Sequence, residues 1–238
     1  LLIKYIDAKG KLSIQVHPDD AYARMNERDN GKTELWYVVE ADENAYIYLG
    51  LKQTITKEDF CKAISTSTIT DYLNKISVKK GDVFLVEPGT LHSIGEGCLI
   101  AEIQEKSNVT YRVYDFNRKD LNGNLRPLHI DKALEVTNFK QSNHDGLPDE
   151  IIKQTASTTI ERLKKCDYFT VDYYAIKNKE TINVNEESFK VLMLTAGNAV
   201  VSTSDETVSL VQGESIFLSA GDYEVSVTGI CEFLTVSL

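Results

Sequence analysis

The sequence predicts a mainly β protein built from two related β-barrels, the first of which carries a helical insertion. Short segments in which apolar and polar residues alternate recur in both halves of the chain, and this period of two is typical of half-buried strands. One twelve-residue segment also occurs twice, because Gly81–His92 aligns without gaps on Gly213–Glu224. A repeated strand pattern of this kind indicates repeated structural units.

The first fifty residues are expected to form strands. In residues 12–17, Ile14 and Val16 fall on one face of the strand, and Gln15 and His17 fall on the other, because successive side chains in a strand point to opposite sides. Two further strands, at 35–39 and 45–49, are predicted to pair across a turn. The chain opens at once on an apolar segment without a methionine, so we expect that it begins within a domain.

A helical insertion is expected at about residues 54–76. Thr56 can cap a helix because Asp59 follows three residues later, and the apolar residues after it share one side. A second short helix is predicted at 71–76. Strands are then expected at 83–86 and 98–103, followed by a helix at 131–136. The resulting boundaries are a first domain at 1–139, a linker at 140–165 and a second, degenerate domain at 166–238, which is again β in pattern.

Composition excludes several classes of protein. The net charge of −10 argues against nucleic acid or an anionic membrane as the main partner, since both require a basic face. The four scattered cysteines, Cys61, Cys98, Cys166 and Cys231, are typical of reduced thiols rather than of a disulfide framework or a cysteine zinc site. We find no signal peptide and no apolar run long enough for a membrane helix. The sequence therefore predicts a cytoplasmic protein, with a monomer as the working expectation.

The candidate chemistry lies in the first domain. Gln15 and His17 leave the same face of one strand, Glu34 begins another, and His92 follows a Pro-Gly turn. Imidazole and carboxylate ligands with one open position suit a catalytic zinc ion, and Gln15 would be a weak fourth ligand. The alternative is that each histidine is a hydrogen-bonded structural residue, which is the commoner case. What favours the metal site is that two of the four histidines in the chain occupy these places.

The other polar candidates are less specific. His129 and His144 lie in connecting segments and are not expected to be functional. Asp19 and Asp20, after His17-Pro18, are expected to cap a turn or a helix. In the second repeat Ser188 is expected at the place of Glu34 and Glu224 at the place of His92, so that this copy keeps the barrel without the metal ligands.

Five ordered motifs resemble one enzyme family. The strings SIQVHPDD (13–20), GKTELWYV (31–38), EPGTLHSIG (87–95), TYRVYDFNR (110–118) and LHIDKAL (128–134) are similar to those of the type I mannose-6-phosphate isomerases in their short bacterial form. The resemblance implies two cupin-type (jelly-roll) β-barrels and an N-terminal segment that this chain lacks. It also implies one zinc ion held by Gln15, His17, Glu34 and His92, and a catalytic arginine at Arg112.

The implied reaction interconverts mannose-6-phosphate and fructose-6-phosphate through an enediol(ate). Arg112 could bind the enediolate oxygens through its planar guanidinium, or could instead pair with Asp115 or Asp120 at the surface. Lys32 could hold substrate charge or move a proton, or could be a solvated lysine in a turn. The sequence identifies no general base, since the place of an acid in some relatives is taken by Asn108. Candidates for the phosphate anchor are Lys106, Arg118, Lys119 and Arg126, without discrimination among them.

Two other functions stay open at this stage. One is a different metal-dependent cupin enzyme, such as a dioxygenase or another sugar isomerase, because two histidines and a carboxylate also suit iron. The other is a cupin that binds a sugar phosphate without turnover. Each reading has a small-molecule partner and neither nucleic acid nor membrane.

Overall fold

Strands dominate the computed structural model, which describes residues 1–119 and 121–238. It divides into two compact units, Leu1–Gly146 and Leu147–Leu238. The strands of the first unit are β1 (Leu2–Ala8), β2 (Ile14–Val16), β3 (Glu34–Ala41), β4 (Tyr46–Leu51), β5 (Leu73–Ser77), β6 (Val83–Val86), β7 (His92–Ile94), β8 (Cys98–Gln104) and β9 (Tyr111–Tyr114). Its helices are α1 (Asp20–Asn26), α2 (Lys57–Ser65) and α3 (Ile130–Val136). The predicted mainly β fold class is confirmed.

The first unit is a sandwich of two antiparallel sheets. One sheet has the order β1-β8-β3-β6, and the other has the order β5-β4-β7-β2-β9. Apolar side chains from both sheets form one core between them, including Trp36 and Val38 from the first sheet and Ile47, Leu49 and Ile94 from the second. The expected barrel is thus an open sandwich of four and five strands, and its interior lies between the two sheets.

The helices pack on the outer face of the five-stranded sheet. Phe60 and Ala63 of α2 and Ala133 of α3 share a buried cluster with Ile14 and Val16 of β2. Because Ile14 and Val16 face these helices, Gln15 lies on the opposite face of β2, toward the interior. The alternation in residues 12–17 therefore predicts the orientation of this strand correctly.

The insertion is helical only in part. The Thr56 side chain accepts a hydrogen bond from the Asp59 N–H (3.0 Å) and begins α2, as predicted. The expected helix at 71–76 is wrong, because Ile69–Tyr72 forms a 3-10 turn and Leu73–Ser77 forms β5. Pairing of β5 with β4 overrides the helical spacing of a short segment. The helix α1 was not predicted from the sequence. The prediction that Asp19 caps a turn or a helix is confirmed, because its side chain accepts a hydrogen bond from the Tyr22 N–H (2.8 Å) at the start of α1.

The second unit forms one antiparallel sheet. Its strands are β10 (Glu150–Gln154), β11 (Thr158–Lys165), β12 (Thr170–Ile176), β13 (Lys179–Val184), β14 (Lys190–Ser202), β15 (Thr207–Val211), β16 (Ser215–Leu218) and β17 (Tyr223–Ser237). The sheet has the order β10-β11-β12-β17-β14-β15, with β13 on β17 and β16 on β14. The expected linker at 140–165 is therefore too long, because residues 150–154 and 158–165 are paired strands of this sheet.

The two units share the hydrogen-bonding pattern of the sequence repeat. The Gly81 N–H donates to the Val38 carbonyl (2.9 Å), and the Gly213 N–H donates to the Leu194 carbonyl (2.8 Å). In each copy the glycine has a positive φ, 94° at Gly81 and 89° at Gly213, in the turn before the repeated strand. The repeat predicted from the sequence thus corresponds to equivalent strand pairs.

The strand register corrects one detail of the repeat. Glu34 pairs with Val86 in the first unit, and Lys190 pairs with Leu218 in the second. Because Leu218 is the residue that aligns with Val86, Lys190 rather than Ser188 lies at the place of Glu34. The expected equivalent was two residues early because the upstream similarity does not follow the strand pairing.

Candidate metal centre

Three buried side chains converge between the sheets of the first unit. His17, Glu34 and His92 each offer one ligand atom, and these atoms all lie within 4.8 Å of one another. His17 Nε2 is 3.3 Å from Glu34 Oε1, and His92 Nε2 is 3.9 Å from Glu34 Oε2. Within residues 1–119 and 121–238 this is the one group of three or more histidine, cysteine or carboxylate side chains with such geometry. The structure therefore brings together the residues that the sequence singled out.

A tight turn places His92 opposite β2. Pro88 and Gly89 are the central residues of a turn closed by the Thr90 N–H and the Glu87 carbonyl (3.1 Å), and Gly89 has φ +83°. Proline followed by a residue with positive φ is typical of a type II turn. The Gly89 N–H also donates to the His17 carbonyl at 2.8 Å. The turn that leads to one histidine is thus hydrogen-bonded to the main chain of the other.

The five-stranded sheet aligns three side chains in one row. Gln15 of β2 pairs with His92 on one side and with Arg112 on the other. Residues directly opposite in neighbouring strands share a face of the sheet, so Arg112, Gln15 and His92 all belong to the interior face. Gln15 Nε2 lies 3.2 Å from His92 Nε2, and a half-turn of the amide would bring Oε1 to the same point.

Both histidines present an unprotonated nitrogen to the centre. The His17 ring donates from Nδ1 to the Val109 carbonyl (2.9 Å), and the His92 ring donates from Nδ1 to the Thr90 carbonyl (2.8 Å). A neutral imidazole that donates from Nδ1 has its lone pair on Nε2, and a main-chain carbonyl is a usual partner for a histidine that binds a metal. Two lone pairs and a carboxylate then meet in a buried space, which is a donor set suited to a cation.

Electrostatics favour the ligand forms of these groups. Burial lowers the pKa of His17, and burial together with the neighbouring His17 ring lowers the pKa of His92 to about 3. Burial alone would raise the pKa of Glu34, but its interactions with the His17 ring and the Lys32 side chain hold that pKa well below its usual value. The centre thus carries two neutral imidazoles and one carboxylate near neutral pH.

Lys32 is buried beside the carboxylate rather than solvated. Its Nζ lies 2.7 Å from Glu34 Oε1 and 3.4 Å from His17 Nε2, and the Lys32 N–H donates to the Pro18 carbonyl at 3.1 Å. The residue is 6% exposed. The alternative that Lys32 is a solvated lysine in a turn is therefore wrong. Its ammonium group is buried and lies beside Glu34.

Comparisons with known proteins agree on one family. Residues 159–238 match the family model described as mannose-6-phosphate isomerase, cupin domain. A mannose-6-phosphate isomerase of Streptococcus mutans is 39% identical over 219 residues, which cover 92% of this chain and 67% of that protein. A Bacillus subtilis protein described as a probable mannose-6-phosphate isomerase is 34% identical over 235 residues, which cover 98% of this chain and 73% of its own length.

The crystal structure of a mannose 6-phosphate isomerase from Bacillus subtilis superposes on this chain with a TM-score of 0.91 at 32% identity. The matched region covers 100% of this chain and 74% of the Bacillus subtilis chain. The chain belongs to the mannose-6-phosphate isomerase family. Members of this family are enzymes, and the predicted family resemblance is confirmed. No helix among the described residues is both long and apolar enough to cross a membrane.

A second carboxylate, which sequence reasoning missed, lies beside the candidate metal centre of this family member. The Trp36 indole Nε1 donates to Glu34 Oε2 (3.2 Å) and to Glu102 Oε2 (3.0 Å). Lys4 Nζ pairs with Glu102 Oε1 at 2.6 Å. Burial, reinforced by the charge of Glu34, raises the pKa of Glu102. The available signal was a glutamate within the apolar strand Cys98–Gln104, at the position that pairs with Trp36.

Arg112 is fixed at the edge of the same candidate site, opposite Gln15. Its Nη1 donates to the Pro127 carbonyl (2.9 Å), whereas its Nε is buried and has no acceptor within residues 1–119 and 121–238. Asp115, one proposed surface partner, instead pairs with Arg118 and Arg126. The other proposed partner, Asp120, lies outside the described residues.

The other predicted cations and polar residues are spread around this region. Lys106 and Asn108 are exposed, and the Asn108 N–H donates to Asp29 Oδ2 at 3.1 Å. Lys119 is also exposed, and its main chain forms an isolated antiparallel β-bridge with Leu125. His129 and His144 lie outside the metal group. Arg118 and Arg126 both pair with the Asp115 carboxylate. This single negative charge can neutralise only one of the two guanidinium groups.

Proposed function

We propose that this chain is a zinc-dependent aldose–ketose isomerase that interconverts mannose-6-phosphate and fructose-6-phosphate through an enediol(ate). The observation that carries the proposal is the convergence of two imidazole lone pairs and a carboxylate in the interior of a chain from this family. Sugar-phosphate isomerisation needs a base, a group that stabilises oxyanion charge and a fixed substrate. Each of the first two needs has a candidate side chain near the centre.

The residues present fit a zinc ion. Ligands of a tetrahedral zinc at about 2.1 Å lie about 3.4 Å apart, close to the 3.3 Å between His17 Nε2 and Glu34 Oε1. His17, Glu34 and His92 would hold the ion, and Gln15 would be a fourth, neutral ligand. When bound, the metal supplies a Lewis acid that polarises and orients sugar oxygens.

Glu102 is the best candidate for the general base. A general base acts best when its pKa lies near the working pH, and burial, reinforced by the charge of Glu34, raises the pKa of Glu102 in that direction. Trp36 and Lys4 hold the two oxygens of Glu102 in place. In this proposal Glu102 takes the proton from C2 of the aldose and returns it to C1, so that no net proton is lost.

Arg112 and Lys32 act on the oxygens of the substrate. The Arg112 guanidinium is always charged, and its buried Nε has no acceptor among the described residues, so it can donate to an enediolate oxygen. The Lys32 ammonium places its N–H donors beside Glu34. It can therefore hold a proton, or move one between the hydroxyl and carbonyl oxygens of the substrate.

The proposal is tested by a coupled assay that follows fructose-6-phosphate formed from mannose-6-phosphate. We expect turnover in the zinc-loaded protein, its loss on chelation and its return with one equivalent of zinc. His92→Ala should abolish both bound zinc and turnover, whereas His144→Ala, which removes a histidine outside the metal group, should leave both unchanged.

Two results would contradict the proposal. Turnover that survives complete removal of metal would exclude the metal site from the reaction. Iron found by elemental analysis, together with oxygen consumption and no isomerisation, would indicate an oxygenase instead, because the same ligand set also suits non-haem iron.

A further inference from the structure

His129 is joined to Arg112 by two hydrogen bonds. The Arg112 N–H donates to His129 Nδ1 (3.0 Å), and the His129 N–H donates to the Arg112 carbonyl (2.8 Å). Arg112 lies in β9, which is the edge strand of the five-stranded sheet. The outer edge of such a strand presents unpaired main-chain groups, and here the histidine satisfies those of Arg112.

The same short segment also fixes the Arg112 side chain. Arg112 Nη1 donates to the carbonyl of Pro127, two residues before His129. Residues 127–129 thus bind the N–H, the carbonyl and the guanidinium of one arginine. His129 in turn begins α3, because its carbonyl accepts from the Ala133 N–H at 2.9 Å, while its side chain makes no cap hydrogen bond to that helix. The ring therefore serves Arg112 rather than the helix.

The hydrogen bond to Nδ1 requires a neutral ring. A protonated imidazole has N–H groups at both nitrogens and cannot accept from the Arg112 N–H. The charged groups around the ring are Arg112 on β9, Lys132 on α3 and Glu27 after α1, and the Tyr111 ring lies 6.3 Å away. Lys132 and Tyr111 both bind Glu27 Oε1, so this carboxylate is already paired.

We propose that His129 is a positioning residue for the isomerisation, which it supports by fixing the main chain and hence the guanidinium of Arg112. The inference rests on the proposed function, because it assumes that Arg112 binds the developing oxyanion. Small displacements of a positioned group can reduce a rate about a hundredfold. His129 lies outside the metal group, so its loss should act on kcat and leave zinc in place.

Two variants separate this role from simple support of the fold. His129→Asn keeps an acceptor on the same carbon, because Oδ1 replaces Nδ1, and it does not titrate. His129→Leu keeps the bulk and removes the acceptor. We expect His129→Leu to lower kcat between about ten- and a hundredfold, with full zinc content and faster hydrogen exchange at the Arg112 amide. His129→Asn should retain most of the activity and the protection of that amide.

The acid limb of the pH profile gives a further readout. Burial, reinforced by Arg112 and Lys132, lowers the pKa of His129, so the bond to Arg112 should be present near neutral pH and lost as the pH falls through that lowered value. His129→Asn should therefore shift the acid limb of kcat to lower pH. His144→Leu is the matched control, and we expect a wild-type rate and profile.

The outcomes distinguish the inference from the proposed function. A zinc-loaded wild type without turnover contradicts the proposed function and the positioning role together. An active wild type with an equally active His129→Leu variant contradicts the positioning role alone. Equal losses of kcat in His129→Leu and His129→Asn would also overturn it, because the acceptor would then be irrelevant.

Discussion

At the residue scale, the centre depends on main-chain partners for its protonation states. The carbonyl groups of Val109 and Thr90 accept hydrogen bonds from the Nδ1–H groups of His17 and His92. Both Nε2 lone pairs are therefore available to a cation. The alternation in residues 12–17 predicted where Gln15 and His17 point. It could not predict the tautomer of His17, because the accepting Val109 carbonyl lies 92 residues away in sequence.

Glu102 shows what residue-level reasoning lacked. A glutamate within an apolar strand can be interpreted as solvent-facing, and only the pairing of β8 with β3 places it beside Trp36 and the candidate metal centre. Its distance in sequence from His17 and Glu34 hides the contact. Lys4 was missed for the same reason, since its partner lies on β8.

We expect Glu102→Gln to lower kcat about a hundredfold or more, because it removes the proposed base and keeps the volume of the side chain. Zinc content should be unchanged, since Glu102 is outside the metal group. Wild-type activity should fall as the pH decreases through the raised pKa of Glu102, and the residual activity of the variant should lack that limb. The measurement is kcat/KM against pH for both proteins.

The same substitution makes a prediction about stability with a definite sign. A carboxyl whose pKa is raised by folding destabilises the native state once the pH exceeds its value in the unfolded chain. Glu102→Gln should therefore match or exceed the wild type in free energy of unfolding at neutral pH. A large loss of stability, or unchanged kcat, would contradict the role assigned to Glu102.

At the element scale, short turns determine where the ligands lie. The turn at Pro88-Gly89 joins β6 to the segment that carries His92 and is hydrogen-bonded to His17. Sequence composition predicted this turn and the N-terminus of α2, because proline, glycine and capping residues act locally. It failed at Leu73–Ser77, where pairing with β4 decides the structure, and at β10 and β11, where a polar composition concealed paired strands.

Two glycines with similar φ allow a matched test of the Pro-Gly turn. A Cβ on Gly89 would lie 2.9 Å from the Val136 carbonyl oxygen, whereas a Cβ on Gly81 would meet nothing within 4 Å. Gly81→Ala should therefore lower the free energy of unfolding by about 1 kcal/mol through positive φ alone.

For Gly89→Ala we expect a loss of about 2–3 kcal/mol, because backbone must shift as well, together with weaker zinc binding. Denaturant unfolding of the metal-free proteins and zinc titration measure the two effects. Equal losses in both variants, with equal zinc affinity, would show that the turn does not position His92.

At the scale of the whole molecule, the same strand pattern occurs in both units, but only the first unit carries the candidate metal ligands among the described residues. Both units repeat the glycine turn and its hydrogen bond to the neighbouring strand. In the first unit the residue that pairs with Val86 is Glu34, whose side chain lies beside the two histidines, whereas in the second unit the residue at the corresponding place is Lys190. The sequence repeat predicted this duplication. Its ligand equivalences needed the strand register, which similarity between short segments does not determine.

We propose that one zinc ion binds His17, Glu34 and His92. Anomalous diffraction at the zinc edge, from crystals of the zinc-loaded protein, tests it most directly. We expect a single peak per chain in the first unit, at about 2.1 Å from both Nε2 atoms and from a Glu34 oxygen. A fully loaded protein with its peak elsewhere, or with these three side chains turned away from the metal, would contradict it.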